Sequence, residues 1–292
     1  MKKVGKAMSK ETLRGLSVAV TRFSKEGEAF YEKLLKLGAE AHHVPLFRLM
    51  PRALSEVTHG QKLLDRFWMG TYDWVTISSV YGVRAFAALL RAHRLGESVH
   101  AGDWLNKTLS PELTWPSQTS LIVVGPSTAR EGTRALIKPH AVAEEHTAEG
   151  MVRALLTRLN GGEKVLIVRG NLGRDVLDQE LSQRGFHVDV LVTYDNVLDE
   201  AGISNLAQLI AQRALDVVTL TSPSTAEAFH RALLMARERL GQDLSPPPAV
   251  SIGPITTKRA QALGLRVIKE AHPYTEEGLI KALESVYTDL KK

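Results

Sequence analysis

The sequence predicts an α/β fold, with two doubly wound parallel-sheet domains that arose by internal duplication. Three observations predict it. Short apolar runs rich in β-branched residues punctuate the chain, helix-period patterns fill the gaps between them, and the chain repeats its own wording. Residues 74–86 read WVTISSVYGVRAF and residues 217–229 read VVTLTSPSTAEAF. Each opens apolar, breaks at serine and resumes as a helix-like stretch, and the anchors Ser79/Ser222 and Phe86/Phe229 share an offset of 143.

The echo belongs to a larger duplication. Residues 16–44 parallel residues 164–191, with Arg22/Arg169, Leu34/Leu181 and Gly38/Gly185 all offset by 147. A third block pairs IVVGPSTAR (122–130) with VSIGPITTK (250–258). There Gly125/Gly253, Pro126/Pro254, Thr147/Thr275 and Gly150/Gly278 are offset by 128. The order along the chain is therefore A-B-C-A-B-C, and the shrinking offsets put the gaps in linkers, where insertions are tolerated.

Taken in order, each block has one design. The runs at 18–21, 75–77, 121–124, 165–168, 217–220 and 250–252 are apolar and β-branched. Such runs suit strands buried on both faces, as in a parallel sheet. Gly, Ser or Pro follows, then an amphipathic helix. After Arg22 the apolar positions are Phe30, Leu34, Leu35 and Leu37; after Arg169 they are Val176, Leu177 and Leu181, with Gly185 as a stop. Second strands are expected in AEAHHVPLF (39–47) and FHVDVLVTY (186–194). Strand and helix in alternation make a parallel sheet, and ligands collect beyond the carboxyl ends of its strands. The Arg, Ser, Gly-Pro and Thr residues sit at those ends.

Composition limits the function classes. The chain has 292 residues, too many for one small core, and no cysteine, which excludes disulfides, thiolate metal sites and a cysteine nucleophile. Its first apolar stretch, Leu16–Val20, is too short for a signal-peptide core, and no window approaches a membrane span. A cytoplasmic protein with no membrane partner is expected. The net charge of +5 favours anionic partners, but the basic residues are scattered among acids and no aromatic-basic interleaving appears, so no nucleic-acid partner is expected.

The motifs leave alternatives open. RGNLGRD (169–175) is a glycine-containing turn into a helix, where free N–H groups with Arg169 and Arg174 would favour an anion; a plain tight turn with solvated arginines reads equally well. It is neither a P-loop nor GxGxxG. Ser79 and Ser222 are anion-binding hydroxyls or helix N-caps, and Thr128 and Thr256 carry the same ambiguity. The ten histidines form no metal pattern, and no nucleophile elbow occurs. Tyr194 closes a strand, and its counterpart at offset 147 is Phe47; the copies differ there by one hydroxyl, either packing or a point where roles diverged.

The ordered set VAVTR, YDWVTISSVYGVRAF, IVVGPSTA, TAEGMVRAL, VLIVRGNLGRDVLDQELSQRGFHV, TYDN, TLTSPSTAEAF, IGPITTKRA and TEEGLIKAL, running from about Leu16 to Val286, resembles the uroporphyrinogen-III synthase family. One departure is Tyr81, where the family usually has Asn before Gly82. Residues 1–15 fall outside the resemblance and read as a flexible extension. The resemblance implies one domain of residues 1–46 plus 198–292 and an inserted domain of 52–192. Linkers 47–51 and 193–197 would join them as two antiparallel strands, with the active site in the interdomain cleft.

It further implies a monomeric, cofactor-independent lyase. That enzyme cyclises hydroxymethylbilane, a linear tetrapyrrole polycarboxylate, to uroporphyrinogen III, with inversion of the terminal ring and loss of water. Tyr194 would be the general acid. Arg22, Ser79, Arg169, Gly170, Ser222, Gly253 and Thr256 would hold carboxylates, and no metal takes part. A non-catalytic two-domain module sensing a small anion is the alternative.

Overall fold

The computed structural model describes residues 11–23, 25–100, 104–173, 175–240 and 244–291. In chain order, β1 (Ser17–Val20), α1 (Lys25–Lys36) and β2 (Glu40–His43) come first, followed by β3 (Phe47–Pro51). Next come α2 (Gly60–Trp68), β4 (Trp74–Ile77), α3 (Val80–Leu95), β5 (Ser120–Val123), α4 (Pro126–Arg134) and β6 (Ala141–Val142). They lead to α5 (Ala148–Leu156), β7 (Lys164–Gly170), α6 (Val176–Gln183) and the twelve-residue β8 (His187–Leu198). The chain ends with α7 (Glu200–Ala211), β9 (Val217–Leu220), α8 (Pro223–Leu240), β10 (Ala249–Ser251), α9 (Pro254–Ala262), β11 (Val267–Glu270) and α10 (Glu276–Leu290).

Two compact units result, residues 1–48 with 197–292, and residues 49–196. The first holds a parallel sheet of order β2-β1-β9-β10-β11. The second holds the parallel order β8-β7-β4-β5-β6, with β3 added at the β8 edge. In block terms both sheets have one arrangement: the two A strands, then B, then the two C strands. β9, from the later B block, lies beside β1, from the first A block. The strand order reverses between β1 and β9 in one domain and between β7 and β4 in the other, which makes these the switch points where such sheets open a crevice.

The strand sequences explain their burial. Side chains alternate between the two faces of a strand. In the second domain Val75, Ile77, Leu121, Val123, Leu166 and Val168 join one core cluster, while Ile122, Val165 and Ile167 join another. In the first domain Ala19, Val218 and Leu220 point into one cluster and Val18, Val20 and Val217 into the other. Both faces are covered, so the runs are continuously apolar rather than alternating.

Two expectations need correction. AEAHHVPLF is not one strand: β2 ends at His43, and β3 begins only at Phe47. Residues 11–15 are not a flexible extension. Leu13 is fully buried, its N–H donates to Leu37 O at 2.9 Å, and Tyr287 Oη donates to Arg14 O at 2.8 Å. A buried leucine with its backbone paired is anchored. The rest of that segment, residues 1–10, lies outside the described residues, as does Arg174. Among the described residues no helix is long and apolar enough to cross a membrane.

Candidate functional site

In the second domain the carboxyl ends of β4, β7 and β8 bring three of the candidate residues together. Ser79 is the N-cap of α3 and its Oγ accepts from Gly82 N at 2.8 Å. The same Oγ lies 3.0 Å from Tyr194 Oη. Ser79 is therefore a helix cap, one of its two sequence readings, and it touches the phenol as well. Tyr194, on β8, pairs with Gly170 on β7 just after a register shift at Arg169/Gly170. A Cβ at Gly170 would sit 2.6 Å from the Tyr194 ring, so only glycine lets the ring lie there. The ring also stacks on Trp104, with centroids 6.0 Å apart and planes 26° apart.

Burial pushes the Tyr194 phenol above its ordinary pKa, with the Ser79 hydrogen bond pulling the other way. The group is a neutral donor near neutral pH. Tyr81 lies 6.3 Å from Trp104 between ring centroids, and the Arg84 guanidinium lies 5.8 Å from the Tyr81 ring. The residue that departs from the family pattern is thus part of the aromatic wall around Tyr194.

Arg169 closes its own turn. Its guanidinium donates to Gly173 O at 3.2 Å and Asp175 Oδ1 at 2.5 Å, and Asp178 lies 3.8 Å away. Beside it is a cavity of about 270 Å³ lined by Ser78, Val124, His146, Arg169, Ile167 and Leu177, among others. It opens at the β7/β4 switch point.

The first domain holds the other four candidates at its own strand ends. Arg22 follows β1 and pairs with Glu276, in the first turn of α10, at 3.2 Å. Ser222 opens α8: Thr225 N donates to its Oγ at 3.2 Å, and its own N–H donates to Thr225 Oγ1 at 3.0 Å. Gly253 is the N-cap of α9, and a Cβ there would meet Tyr274 Cδ1 at 3.3 Å. Thr256 is only 3 % exposed, within the first turn of α9. Its neighbour Thr257 carries the polar contacts of this turn, with Oγ1 2.6 Å from Ser251 Oγ and 2.5 Å from Glu270 Oε2.

Sequence reasoning missed Trp104 and His146. Nothing in the sequence marks Trp104, which approaches Tyr194 only through the fold. His146 carried a signal that went unread: its offset from Tyr274 is 128, as for Gly125 and Gly253. Among the described residues no group of three or more His, Asp or Glu could hold a metal ion.

Comparison with known proteins decides the family. The profile of uroporphyrinogen-III synthase HemD matches residues 28–281, most of the chain. The chain belongs to the uroporphyrinogen-III synthase family. It is thereby a lyase-type enzyme whose substrate class is a small anionic tetrapyrrole.

Among individual proteins, the uroporphyrinogen-III synthase of Synechococcus elongatus is 25% identical over 283 residues, covering 95% of this chain and 97% of that one. A relative from Methanothermobacter thermautotrophicus is 33% identical over 164 residues, 55% of this chain and 64% of that one. The crystal structure of a mutant uroporphyrinogen III synthase from Thermus thermophilus superposes with a TM-score of 0.57 at 16% identity, covering 94% of this chain and 100% of that one. The Helicobacter pylori synthetase gives 0.51 at 16% identity, over 93% and 99%. At such identities the structural likeness speaks for the fold of a uroporphyrinogen-III synthase, and the residue roles rest on geometry.

Proposed function

We propose that the protein converts hydroxymethylbilane to uroporphyrinogen III and water, inverting the terminal pyrrole ring. The observation that carries this reading is the Tyr194–Ser79 pair, held by Gly170 and Trp104 at the strand ends of the second domain. Either hydroxyl can donate in this pair; in the arrangement where Ser79 donates to the phenol oxygen, the Tyr194 proton is left to donate outward.

The chemistry asks for one such proton. The C–O bond of the hydroxymethyl group breaks, Tyr194 protonates the departing hydroxyl, and water leaves. The pyrrole nitrogen supplies the electron pair that stabilises the resulting azafulvene. The terminal ring attacks the exocyclic methylene through its already substituted carbon, which gives a spiro intermediate. That intermediate reopens and recloses with the ring turned over. The ring then loses a proton, which restores the phenol, so the acid is unchanged overall. What remains is the folding of a flexible substrate, which is positioning work. Each domain would hold carboxylates of the substrate at its own strand ends: Arg22, Ser222, Gly253 and Thr256 in one, and Ser79, Arg169 and Gly170 in the other.

The test uses freshly prepared hydroxymethylbilane, followed by oxidation and separation of type I and type III porphyrins. Type I arises spontaneously, so the expected result is type III in excess of the protein-free control. Type I alone would rule the reading out.

A further inference from the structure

The cavity at the β7/β4 switch point has a floor and a rim of different chemistry. Val124, Met151, Ile167 and Leu177 make an apolar floor, and His146, Arg169 and Ser78 stand at the rim. Two of the rim groups are distinguishable by what already engages them. The Arg169 guanidinium already donates to Gly173 O and Asp175, with Asp178 nearby. Among the described residues none hydrogen-bonds the His146 ring.

That ring is nonetheless held in place. Thr147, the next residue, caps α5 by accepting from Gly150 N at 3.0 Å. The imidazole lies against Gly125, where a Cβ would come 3.0 Å from His146 Cδ2. The φ of Gly125 is −178°, extended backbone that any residue adopts, so the turn does not demand glycine and the ring does. The first domain repeats the device with Tyr274 against Gly253, at a φ of 174°. The duplicated halves have kept a ring over a glycine at the same strand-to-helix turn and changed its chemistry. Where one has a phenol, the other has an imidazole beside an apolar cavity. A donor above an apolar floor fits a short aliphatic carboxylate, with its methylenes below and its oxygens at the rim.

We propose that His146 is a specificity-determining residue that donates a hydrogen bond to one side-chain carboxylate of the substrate, whose methylene carbons lie on the floor of this cavity, an assignment that rests on the tetrapyrrole reading above. Gly125 is then a positioning residue that acts through the ring.

The test titrates the full chain with uroporphyrin III, an octacarboxylate, by calorimetry. His146→Ala is expected to weaken binding about tenfold, the loss of one hydrogen bond to a charged group. His146→Gln, which keeps a donor, should recover most of it. Gly125→Ala, whose methyl displaces the ring, should fall between wild type and His146→Ala, and it serves as the readout if His146→Ala does not fold. In turnover, His146→Ala should raise KM more than it lowers kcat. Equal affinities for wild type and a folded His146→Ala, equal weakening by Ala and Gln, or no binding by wild type would each overturn the assignment. A wild type that binds uroporphyrin III but gives no excess type III product fails the proposed reaction and leaves the pocket standing. A wild type that makes type III with an unchanged KM in His146→Ala fails the pocket alone.

Discussion

Tyr194 is confined by the bare backbone of Gly170 and by Trp104, with its hydroxyl beside Ser79. Tyr194→Phe keeps the ring and removes that hydroxyl. General acids contribute roughly 10²–10⁴-fold, and a hydroxyl that departs with pyrrole assistance needs the least help, so turnover should fall by about 10²-fold or less. Ser79 keeps its bond from Gly82 N, and stability should change by no more than about 1 kcal/mol. Unaltered type III production at equal stability would make Tyr194 a packing residue. Gly170→Ala tests the same assembly from below. Its methyl would enter the ring space at 2.6 Å, and overpacking of this kind costs about 1–3 kcal/mol. The ring must move off Ser79, so activity should drop along with the melting temperature; a variant that keeps both would show that the ring is not wedged on the glycine.

Between elements, a buried ion pair bridges α3 and α4. Arg84 reaches Glu131 through two bonds of 2.9 and 3.1 Å, and Arg134 adds a third group at 2.5 Å. Burial alone would raise the Glu131 pKa, but the hydrogen bonds from Arg84 and Arg134 outweigh it and hold it at about 2. The folded value lies below the ordinary 4.5, so this contribution to stability is complete above about pH 4.5 and is lost as pH falls toward 2. Melting curves between pH 6 and pH 3 should show Glu131→Gln less acid-sensitive than wild type. At pH 6 it should be destabilised by about 3 kcal/mol, because Arg84 stays buried without its counter-charge. Parallel pH profiles for the two proteins would refute the linkage. The two helices themselves were expected from the strand-then-helix design of each block, and a cap was one of the two readings of Ser79. The bridge was not expected, because residues 84 and 131 meet only once both helices pack on the sheet. Thr256 shows the opposite limit: its motif marked a polar turn, but helix phase turned it inward and left Thr257 to make the contacts.

At the scale of the whole chain, the repeated blocks made two similar sheets legible, because equal wording at equal offsets implies equal packing. The side-chain surroundings of Tyr194 were not legible, since Trp104 has no counterpart signal and the Gly170 contact depends on a register shift between β7 and β8. The sheet orders carry a consequence for folding. β7 and β8 precede β4, β5 and β6 in sheet order but follow them in the chain, and all five belong to one contiguous stretch. β1 and β2, by contrast, find their neighbour β9 only after the intervening domain has been made, with Ala19 opposite Val218 across that junction. Residues 47–198, which keep β3 and β8 whole, should therefore fold alone with a single cooperative thermal transition, on the strength of their own core clusters. A fragment of residues 1–46 should not fold, because the core on which β1 and α1 pack is completed by β9, β10 and α10, and two strands with one helix leave it open. Adding residues 199–292 to it should restore a cooperative transition by supplying β9, β10 and β11. Circular dichroism melts of the three samples decide the matter, and a residue 1–46 fragment that melts cooperatively by itself, or a 47–198 fragment that does not, would contradict this division of the chain.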